Sequence, residues 1–353
     1  MSKTALLLER DRLAGPGIQT LESLRSHLQT AIELEHSTIP VYLSALYSIK
    51  EGTNREASNL IRSVVMEEML HMSLAANVLN AVGGYPSINH ARFVPSYPTP
   101  LPHSDASFQI SLERFSKEAI RTFLRIEKPE KPGTQPLADG YSTIGQFYEA
   151  VEAGLKRLCA ELGEQGVFTG AASLQVTPEY FYGGGGEIVV VKDLESALKA
   201  LHVIVAQGEG IDHSLFDGDD LFFGEPKDLA HYFRFNEVHE ERHYQRGDGV
   251  RSGPTGKPLL VDWDAVYPMR KNPKAADYPV GSEIRRKLDE FNAAYMKLLN
   301  LLHNAFNGEP KLLFEVVPQM YVLKNLAVAL MRIPSGDGKT TVGPSFEFIP
   351  PYR

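Results

Sequence analysis

Residues 64–84 read VVMEEMLHMSLAANVLNAVGG, and this stretch indicates both a fold and a chemistry. Its apolar residues recur every three or four positions, which is the spacing of one helix face. Glu68 and His71 lie on that same face. The pattern therefore predicts a helix that turns a carboxylate and an imidazole, one turn apart, into the core, where the two groups could share one metal ion. The pair Gly83-Gly84 is expected to end the helix.

The preceding stretch, residues 28–49, reads LQTAIELEHSTIPVYLSALYSI and predicts a long helix over about 20–50. Glu35 lies on its otherwise apolar face. Burial of a carboxylate costs on the order of several kcal/mol unless a cation or strong hydrogen bonds compensate it. Pro40 removes a helix hydrogen bond close to Glu35 and bends the chain there. Glu35 is therefore a candidate metal ligand, and pairing with a cation such as Arg62 is the alternative.

A short turn near Gly52 joins these two helices. Helices joined by a short connection lie antiparallel and side by side. Glu35 and Glu68 are each about sixteen residues from the turn. The hairpin is therefore expected to place Glu35, Glu68 and His71 at the same height. Asn54, directly before the second helix, is expected to be its N-cap.

The rest of the chain also favours helices, separated by long irregular connections. A proline-rich crossover over about 85–141 is expected to contain one short helix at about 112–126. The run GGGGEIVVVKD, residues 183–193, has a β-branched segment that suggests a small strand. Further helices are expected at about 143–162, 193–211, 227–245, 282–304 and 309–332.

Two later residues repeat the pattern of an inward-facing ligand. Glu209 continues the apolar face of the helix over 193–211, and His231 lies near the start of the next helix. We expect them to face each other across a second hairpin and to complete a carboxylate-bridged site for two metal ions. The simpler explanations are solvent exposure near a helix end for Glu209 and a hydrogen-bonded core histidine for His231.

Other acidic and histidine side chains stay open as members of this site. Two of them, Glu149 and Glu152, lie on the helix over 143–162 and would replace Glu209 if that helix completes the bundle. The helix over 227–245 carries Glu237, Glu240 and His243 near its end. Glu237 is expected to pair with Arg234, whereas Glu240 and His243 favour a solvated face.

Composition limits the class of protein. The 353 residues carry a net charge of -8 and a single cysteine. Cys159 alone excludes an intramolecular disulfide and a thiolate-rich metal site, so metal ligands must be His, Asp or Glu. No basic stripe suggests nucleic acid or an anionic membrane as partner. Since neither a signal peptide nor a stretch of roughly 20 apolar residues is visible, a cytoplasmic location is expected.

The two quoted helices resemble the ferritin-like domain of the iminophenyl-pyruvate dimer synthases of bisindole pigment pathways. The resemblance continues through IGQFYEAVEAGL, DLESALKALHVIVAQGEG, HYFRFNEV, VYPMRKNPKAADYP and FNGEP, and so covers most of the chain. It implies a helical bundle with a non-haem iron site and, for those enzymes, oxidative coupling of two imines derived from an aromatic amino acid. The positions carried over are Glu35, Glu68, His71, Glu209 and His231.

The expected fold is thus mostly α: a ferritin-like four-helix bundle with a long crossover, irregular loop insertions and additional C-terminal helices. Residues 1–250 would form the metal-binding bundle, and residues 251–353 a helical extension packed on it. The function expected is a non-haem oxidoreductase with two iron ions, or manganese or a mixed pair. Its substrate would be a small molecule derived from an aromatic amino acid. Tyr42 is a candidate to line the substrate pocket, and ordinary core packing is the alternative for this residue. A homo-oligomer is compatible with this. The alternatives are a metal-storage protein and a metal-free interaction module.

Overall fold

A computed structural model describes residues 18–102, 107–129, 141, 143–182, 184–210, 215–216 and 229–350, with the side chain of Glu209 outside that description. The chain is mostly helical. Among the described residues, two short strands pair antiparallel, with Thr99 opposite Ile110. The elements are α1 (Leu21–Ser48), α2 (Arg55–Ala81), β1 (Thr99–Pro100), β2 (Gln109–Ile110), α3 (Lys117–Ile126), α4 (Ile144–Leu162), α5 (Glu164–Val167), α6 (Leu194–Glu209), α7 (His231–Glu240), α8 (Glu283–Ala305) and α9 (Leu313–Met331).

Helix α1 is the longest element described and has 28 residues. It begins where the Thr20 side chain accepts a hydrogen bond from the Ser23 backbone N–H at 3.1 Å, which satisfies one free donor of the first turn. Pro40 lies inside the helix, as predicted from the sequence. The helix continues past it, and the Ser44 hydroxyl donates to the Pro40 carbonyl at 2.7 Å.

Asn54 occupies the N-cap position of α2, as predicted, and its carbonyl accepts a hydrogen bond from the Ser58 N–H at 2.8 Å. Asn54 has a left-handed φ of 47° and its side chain does not cap the helix. Its amide instead exchanges two hydrogen bonds with the backbone of Asp262, each of 2.8 Å. The Asn54 side chain therefore binds a segment that is distant in sequence. Local sequence patterns do not reveal such a contact.

Four helices form a closed bundle. Helix α1 packs on α2 and α4, and α6 packs on the same two helices. The connection from α2 to α4 is the long crossover predicted from the sequence, and it carries the strands and α3. The second half of the bundle differs from the expectation, because α4 and not α7 is the partner of α6. The shorter helix α7 packs mainly against α3, with further contacts to α2 and α6.

The strand predicted in residues 183–193 is absent, since the described residues there form no ladder. Side-chain amides take the place of a neighbouring strand. Gln175 donates to the Val191 carbonyl at 2.6 Å and accepts from its N–H at 2.8 Å. Asn77 donates to the Val189 carbonyl at 2.9 Å. The β-branched run is thus held by buried glutamine and asparagine side chains.

Helices α8 and α9 pack against each other, and α9 also contacts α1. The Tyr267 N–H donates to the Ser48 carbonyl at 2.7 Å, which ties this region to the end of α1. The division of the chain at residue 250 stays a prediction. Pro310–Met331 is long and apolar enough to cross a membrane by length and composition alone, with 28% of its apolar window buried. The expectation that no segment reaches this length is thus too strict, although one such helix is weak evidence for a membrane span.

Candidate metal centre

The structure brings together four of the five residues expected to bind metal. Glu35 comes from α1, Glu68 and His71 from α2, and His231 from the first position of α7. Their exposed fractions are only 3%, 3%, 2% and 0%. One ligand atom from each of Glu68, His71 and His231 lies within 4.8 Å of the other two. The Glu209 side chain lies outside the described part of the structure, so its role as a ligand stays a prediction.

The His71 ring is oriented by an amide on α6. Its Nε2 lies 2.8 Å from Oε1 of Gln207. The Gln207 amide nitrogen donates to the Gly185 carbonyl at 2.8 Å, which fixes the amide so that Oε1 faces the ring. An acceptor at Nε2 places the ring proton there and leaves Nδ1 as a free lone pair in the neutral imidazole. That Nδ1 points to Glu35, whose Oε2 is 3.5 Å away.

His231 is oriented in the same way from the other side. Its Nε2 lies 3.0 Å from Oε2 of Glu67, and Arg234 holds the other oxygen of Glu67 at 2.6 Å. The Nδ1 atom lies 3.1 Å from Glu68 and 3.4 Å from Glu127. It forms no hydrogen bond with any described residue. A buried ring nitrogen that faces carboxylate oxygens without a hydrogen bond is suited to bind a cation.

Glu127 is the site residue that the sequence interpretation missed. It follows the last residue of α3, is 5% exposed and accepts a short hydrogen bond from the Tyr42 hydroxyl. Glu127 falls in the predicted proline-rich crossover, directly after the short helix expected at about 112–126. A signal was nevertheless present, because Glu127 lies four residues after buried Phe123 and continues the apolar face of α3, as Glu35 does in α1.

Hydroxyl groups hold the remaining carboxylate oxygens. Tyr148 of α4 donates to Oε1 of Glu35 at 2.5 Å. Thr38 donates to Oε2 of Glu68 at 3.0 Å. Tyr42, expected to line a substrate pocket, is fully buried and contacts the site through Glu127. Each carboxylate of the cluster is therefore anchored at one oxygen by a neutral donor, which leaves the other oxygen for a cation.

The residues left open by the sequence lie elsewhere. On α4, Glu149 is exposed and Glu152 pairs with Lys156 at 2.5 Å. Tyr148 is the residue of α4 that reaches the cluster, so a phenol and not a carboxylate comes from this helix.

The candidates at the end of α7 form a separate group. Glu237 is buried and lies 3.0 Å from Nδ1 of His243, while Glu240 contacts the neighbouring His239 at 2.9 Å. Glu240 and His243 therefore do not share a site, and Glu240 is exposed, in agreement with the solvated face that the sequence favoured. Arg234, the partner expected for Glu237, donates to Glu67.

Crowding of negative charge perturbs the pKa values in the cluster. Burial and the nearby Glu127 carboxylate raise the pKa of Glu68 to about 8. Burial lowers the pKa of His231, but the carboxylates of Glu127 and Glu67 outweigh it and raise this pKa well above its usual value. In the metal-free protein the cluster therefore holds extra protons. A divalent cation would replace them, and carboxylate and imidazole ligands suit iron, manganese or zinc.

Replacement of Gln207 by leucine is expected to weaken metal binding by roughly 10- to 100-fold, since the acceptor that fixes the His71 ring is lost. Competition with a coloured chelator measures this affinity. The exposed Gln245 replaced by leucine is the matched control and should bind metal as the unchanged protein does. Equal affinity of both variants would contradict the role given to Gln207.

Comparisons with known proteins agree with this architecture. A family model described as ferritin-like matches residues 28–240. A ferritin-like protein from Caulobacter vibrioides superposes with a TM-score of 0.64 at 24% identity, over 93% of this chain and 99% of that chain. At this identity the structural likeness supports the fold alone.

Two curated relatives also match. Dichlorochromopyrrolate synthase from Lentzea aerocolonigenes is 27% identical over 84% of this chain and 30% of its own length. The 2-imino-3-(indol-3-yl)propanoate dimerase from Chromobacterium violaceum is 24% identical over 94% of this chain and 34% of its own length. The chain thus spans about a third of these relatives. They confirm the resemblance found in the sequence motifs, and the family model matches more than half of the chain, so this protein belongs to the ferritin-like family.

Proposed function

We propose that this protein is a non-haem oxidoreductase that acts on a small molecule derived from an aromatic amino acid. It would hold two metal ions, for which iron is the first choice. The observation that carries the proposal is that His71 and His231 both present Nδ1 to one set of buried carboxylates. An ordinary protein core avoids such a set, because each buried charge needs a partner. A cytoplasmic location and possible homo-oligomers belong to the same proposal, as does the division of the chain at residue 250.

The ligands divide into two groups. Glu35 and His71 lie together on one side of the cluster, and His231 and Glu127 on the other. Glu68 interacts with both groups and would lie between the two ions. When bound, iron supplies the redox chemistry that oxidation of an organic substrate requires. Manganese, or a mixed pair, would fit the same oxygen and nitrogen ligands.

The two tyrosines are proton holders in this proposal. Burial and the Glu127 carboxylate raise the pKa of Tyr42 well above its usual value. Burial and Glu35 do the same for Tyr148. Both phenols therefore keep their protons at neutral pH and orient the carboxylates by donating to them. Such fixed donors preorganise a ligand set, so that it does not rearrange when a cation binds.

The relatives suggest the substrate class. One is named a dimerase of an indole-bearing imine, and the other a dichlorochromopyrrolate synthase. We extend this to an imine, or a related compound, derived from an aromatic amino acid. Coupling two such molecules forms one bond and removes two protons and two electrons, which dioxygen or a peroxide would accept. Because the chain covers only about a third of the relatives, the coupling reaction itself belongs to the proposal.

Elemental analysis and an optical spectrum of freshly purified protein test the proposal. About two metal ions per chain, with an absorbance change on exposure to air, would support it. Many iron atoms per assembly would instead support storage, and absence of metal after growth with added iron and manganese would favour an interaction module. Many iron atoms per assembly, or no metal at all, would each overturn the proposal of an oxidoreductase.

Access to the cluster can be tested at Gly208. A small cavity of about 20 Å³ lies beside Glu127 and is also lined by Gly145 and Gly208, and this volume suffices for one water-sized molecule. A Cβ atom at Gly208 would meet no atom of another helix or loop within 4 Å in the part of the chain that the structure describes. Leucine there should therefore fold normally and slow the air-dependent absorbance change several-fold, with unchanged metal content. Alanine, the matched control, should leave the rate nearly unchanged; equal rates for both variants would show that access lies elsewhere.

A further inference from the structure

A second cavity lies on the other side of the α1–α2 hairpin from the metal cluster. Its volume is about 460 Å³, which is within the range of sites for drug-sized molecules. None of Glu35, Glu68, His71, Glu127 and His231 lines it. Each helix of the hairpin thus has two buried faces, one toward the cluster and one toward this cavity. Helices α8 and α9 cover the cavity.

The lining is apolar and adaptable. Three methionines of α2 and one of α9 contribute to it, together with leucine, valine and aromatic side chains. Methionine side chains are unbranched and polarisable, so they adjust to ligands of irregular shape. The methionines are Met66, Met69, Met72 and Met320.

A buried imidazole, that of His36, is part of the otherwise mainly apolar lining. His36 is 3% exposed and its Nε2 lies 2.7 Å from the Tyr295 hydroxyl. Its Nδ1 has no hydrogen-bond partner among the described residues. Burial lowers the pKa of His36 to about 3, so the ring is neutral. A buried nitrogen without a partner is unfavourable in an apolar core, which indicates that this position was not optimised for packing alone.

The other end of the cavity is cationic. Arg62 and Lys324 line the apolar cavity and also an adjoining polar vestibule of about 400 Å³. Neither forms an ion pair with a described residue, and Arg62 donates only to the side chain of Asn59. The charged residues around the vestibule are four cations and one acid, namely Lys50, Arg55, Arg62, Lys324 and Glu51.

These features define an elongated site with unlike ends. His36 and Leu46 both line the cavity and lie ten residues apart on α1, which is roughly 15 Å along a helix and close to an extended twelve-carbon chain. We propose that the cavity binds a long-chain carboxylic acid, with the chain between the hairpin and α8–α9 and the carboxylate at Arg62 and Lys324. This site is separate from the metal cluster and does not rest on the function proposed for it.

Calorimetric titration with dodecanoate and with dodecan-1-ol, which has the same chain without the charge, tests the proposal. Saturable binding of one dodecanoate per chain is expected, with the alcohol weaker. Arg62→Gln and Lys324→Gln should each weaken dodecanoate binding by roughly fivefold and leave the alcohol unchanged. Lys297→Gln, which changes an exposed lysine of α8 outside the cavity, is the matched control and should change neither.

Val317→Phe tests the position of the chain, since Val317 lines the cavity and a larger side chain would fill it. It should weaken binding of acid and alcohol together by at least roughly tenfold. Circular dichroism and metal content verify that each variant is folded. Absence of saturable binding to the unchanged protein, or full binding by the double variant R62Q/K324Q, would overturn the proposal whether or not Val317→Phe folds.

Discussion

Glu68→Ala is expected to yield purified protein with almost no bound metal. Glu68 is the residue that interacts with both halves of the cluster, since it lies 3.1 Å from His231 and also interacts with Glu35. Its loss removes one ligand from each proposed ion. Loss of a residue that merely supports a ligand typically costs 10- to 100-fold in affinity, so the loss of a shared ligand should exceed roughly 100-fold. Elemental analysis of the purified variant measures it.

Glu240→Ala is the matched control, because Glu240 is an exposed glutamate of α7 outside the cluster. It should retain full metal content. Full metal occupancy in Glu68→Ala would refute the metal centre as a whole, including the ligand roles of Glu35, His71 and His231.

Glu68 should also determine how the stability of the metal-free protein depends on pH. The pKa of Glu68 is raised from 4.5 to about 8 in the folded state. Between these values the folded protein binds a proton that the unfolded chain has released. The free energy of unfolding therefore falls as pH rises from about 5 to 8, with a slope of up to about 1.4 kcal/mol per pH unit from this group. Denaturant titrations with chelator at pH 5.5 and 7.5 should show a smaller loss in Glu68→Gln; an equal loss in both would contradict this account.

The sequence predicts the hairpin and the inward-facing position of its carboxylates and histidine well because the relevant signal is local. Helical spacing alone places Glu35, Glu68 and His71 on faces that the structure buries, and the short turn brings α1 and α2 together. Propensity and periodicity extend over about 28 residues in α1. Over such a length few alternative folds satisfy the pattern. The bundle with its long crossover follows from the same reasoning and from the family resemblance.

The other half of the site depends on tertiary pairing, which one sequence does not encode in local patterns. Gln207 and Tyr148 are a neutral amide and a phenol, so neither has the charge that drew attention to Glu35. Glu127 was not considered as a ligand, because it lies just beyond the end of the short helix predicted within the proline-rich crossover. The assignment of α7 as a bundle helix was wrong because α6 and α7, which follow each other in the chain, were expected to form a second hairpin, whereas α4 is the bundle partner of α6.

The cavity beside α8 and α9 shows a similar limit. The residues of α1 that line the cavity, beginning with His36 and Ile39, have helical spacing. The sequence pattern therefore predicts an ordinary packed core on this face. Only the structure shows that its partners leave a space, and that Arg62 and Lys324 flank that space. Periodicity predicts which face is buried, but it does not predict how completely the face is filled.

Arg234→Met is expected to destabilise the protein by about 3–5 kcal/mol, the usual consequence of breaking one partner out of a buried ion pair. Arg234 is 3% exposed and Glu67 is 4% exposed, with 2.6 Å between the guanidinium and the carboxylate. Burial alone would raise the pKa of Glu67, but Arg234 and His231 hold it below its usual value. Thermal and denaturant unfolding of the variant measure the loss. Arg121→Met, which breaks the exposed pair with Glu118, should cost only about 0–1 kcal/mol.

The double variant Arg234→Met, Glu67→Gln separates charge from packing. If the loss arises from an uncompensated carboxylate, neutralising Glu67 should restore most of the stability that Arg234→Met removes, since a neutral amide is far easier to bury. Metal affinity should not recover with it. Glu67 is the acceptor that holds Nε2 of His231, and an amide orients an imidazole less strongly than a carboxylate does. In this double variant we therefore expect stability to recover while metal affinity stays low. Recovery of both would show that Arg234 and Glu67 have a structural role alone.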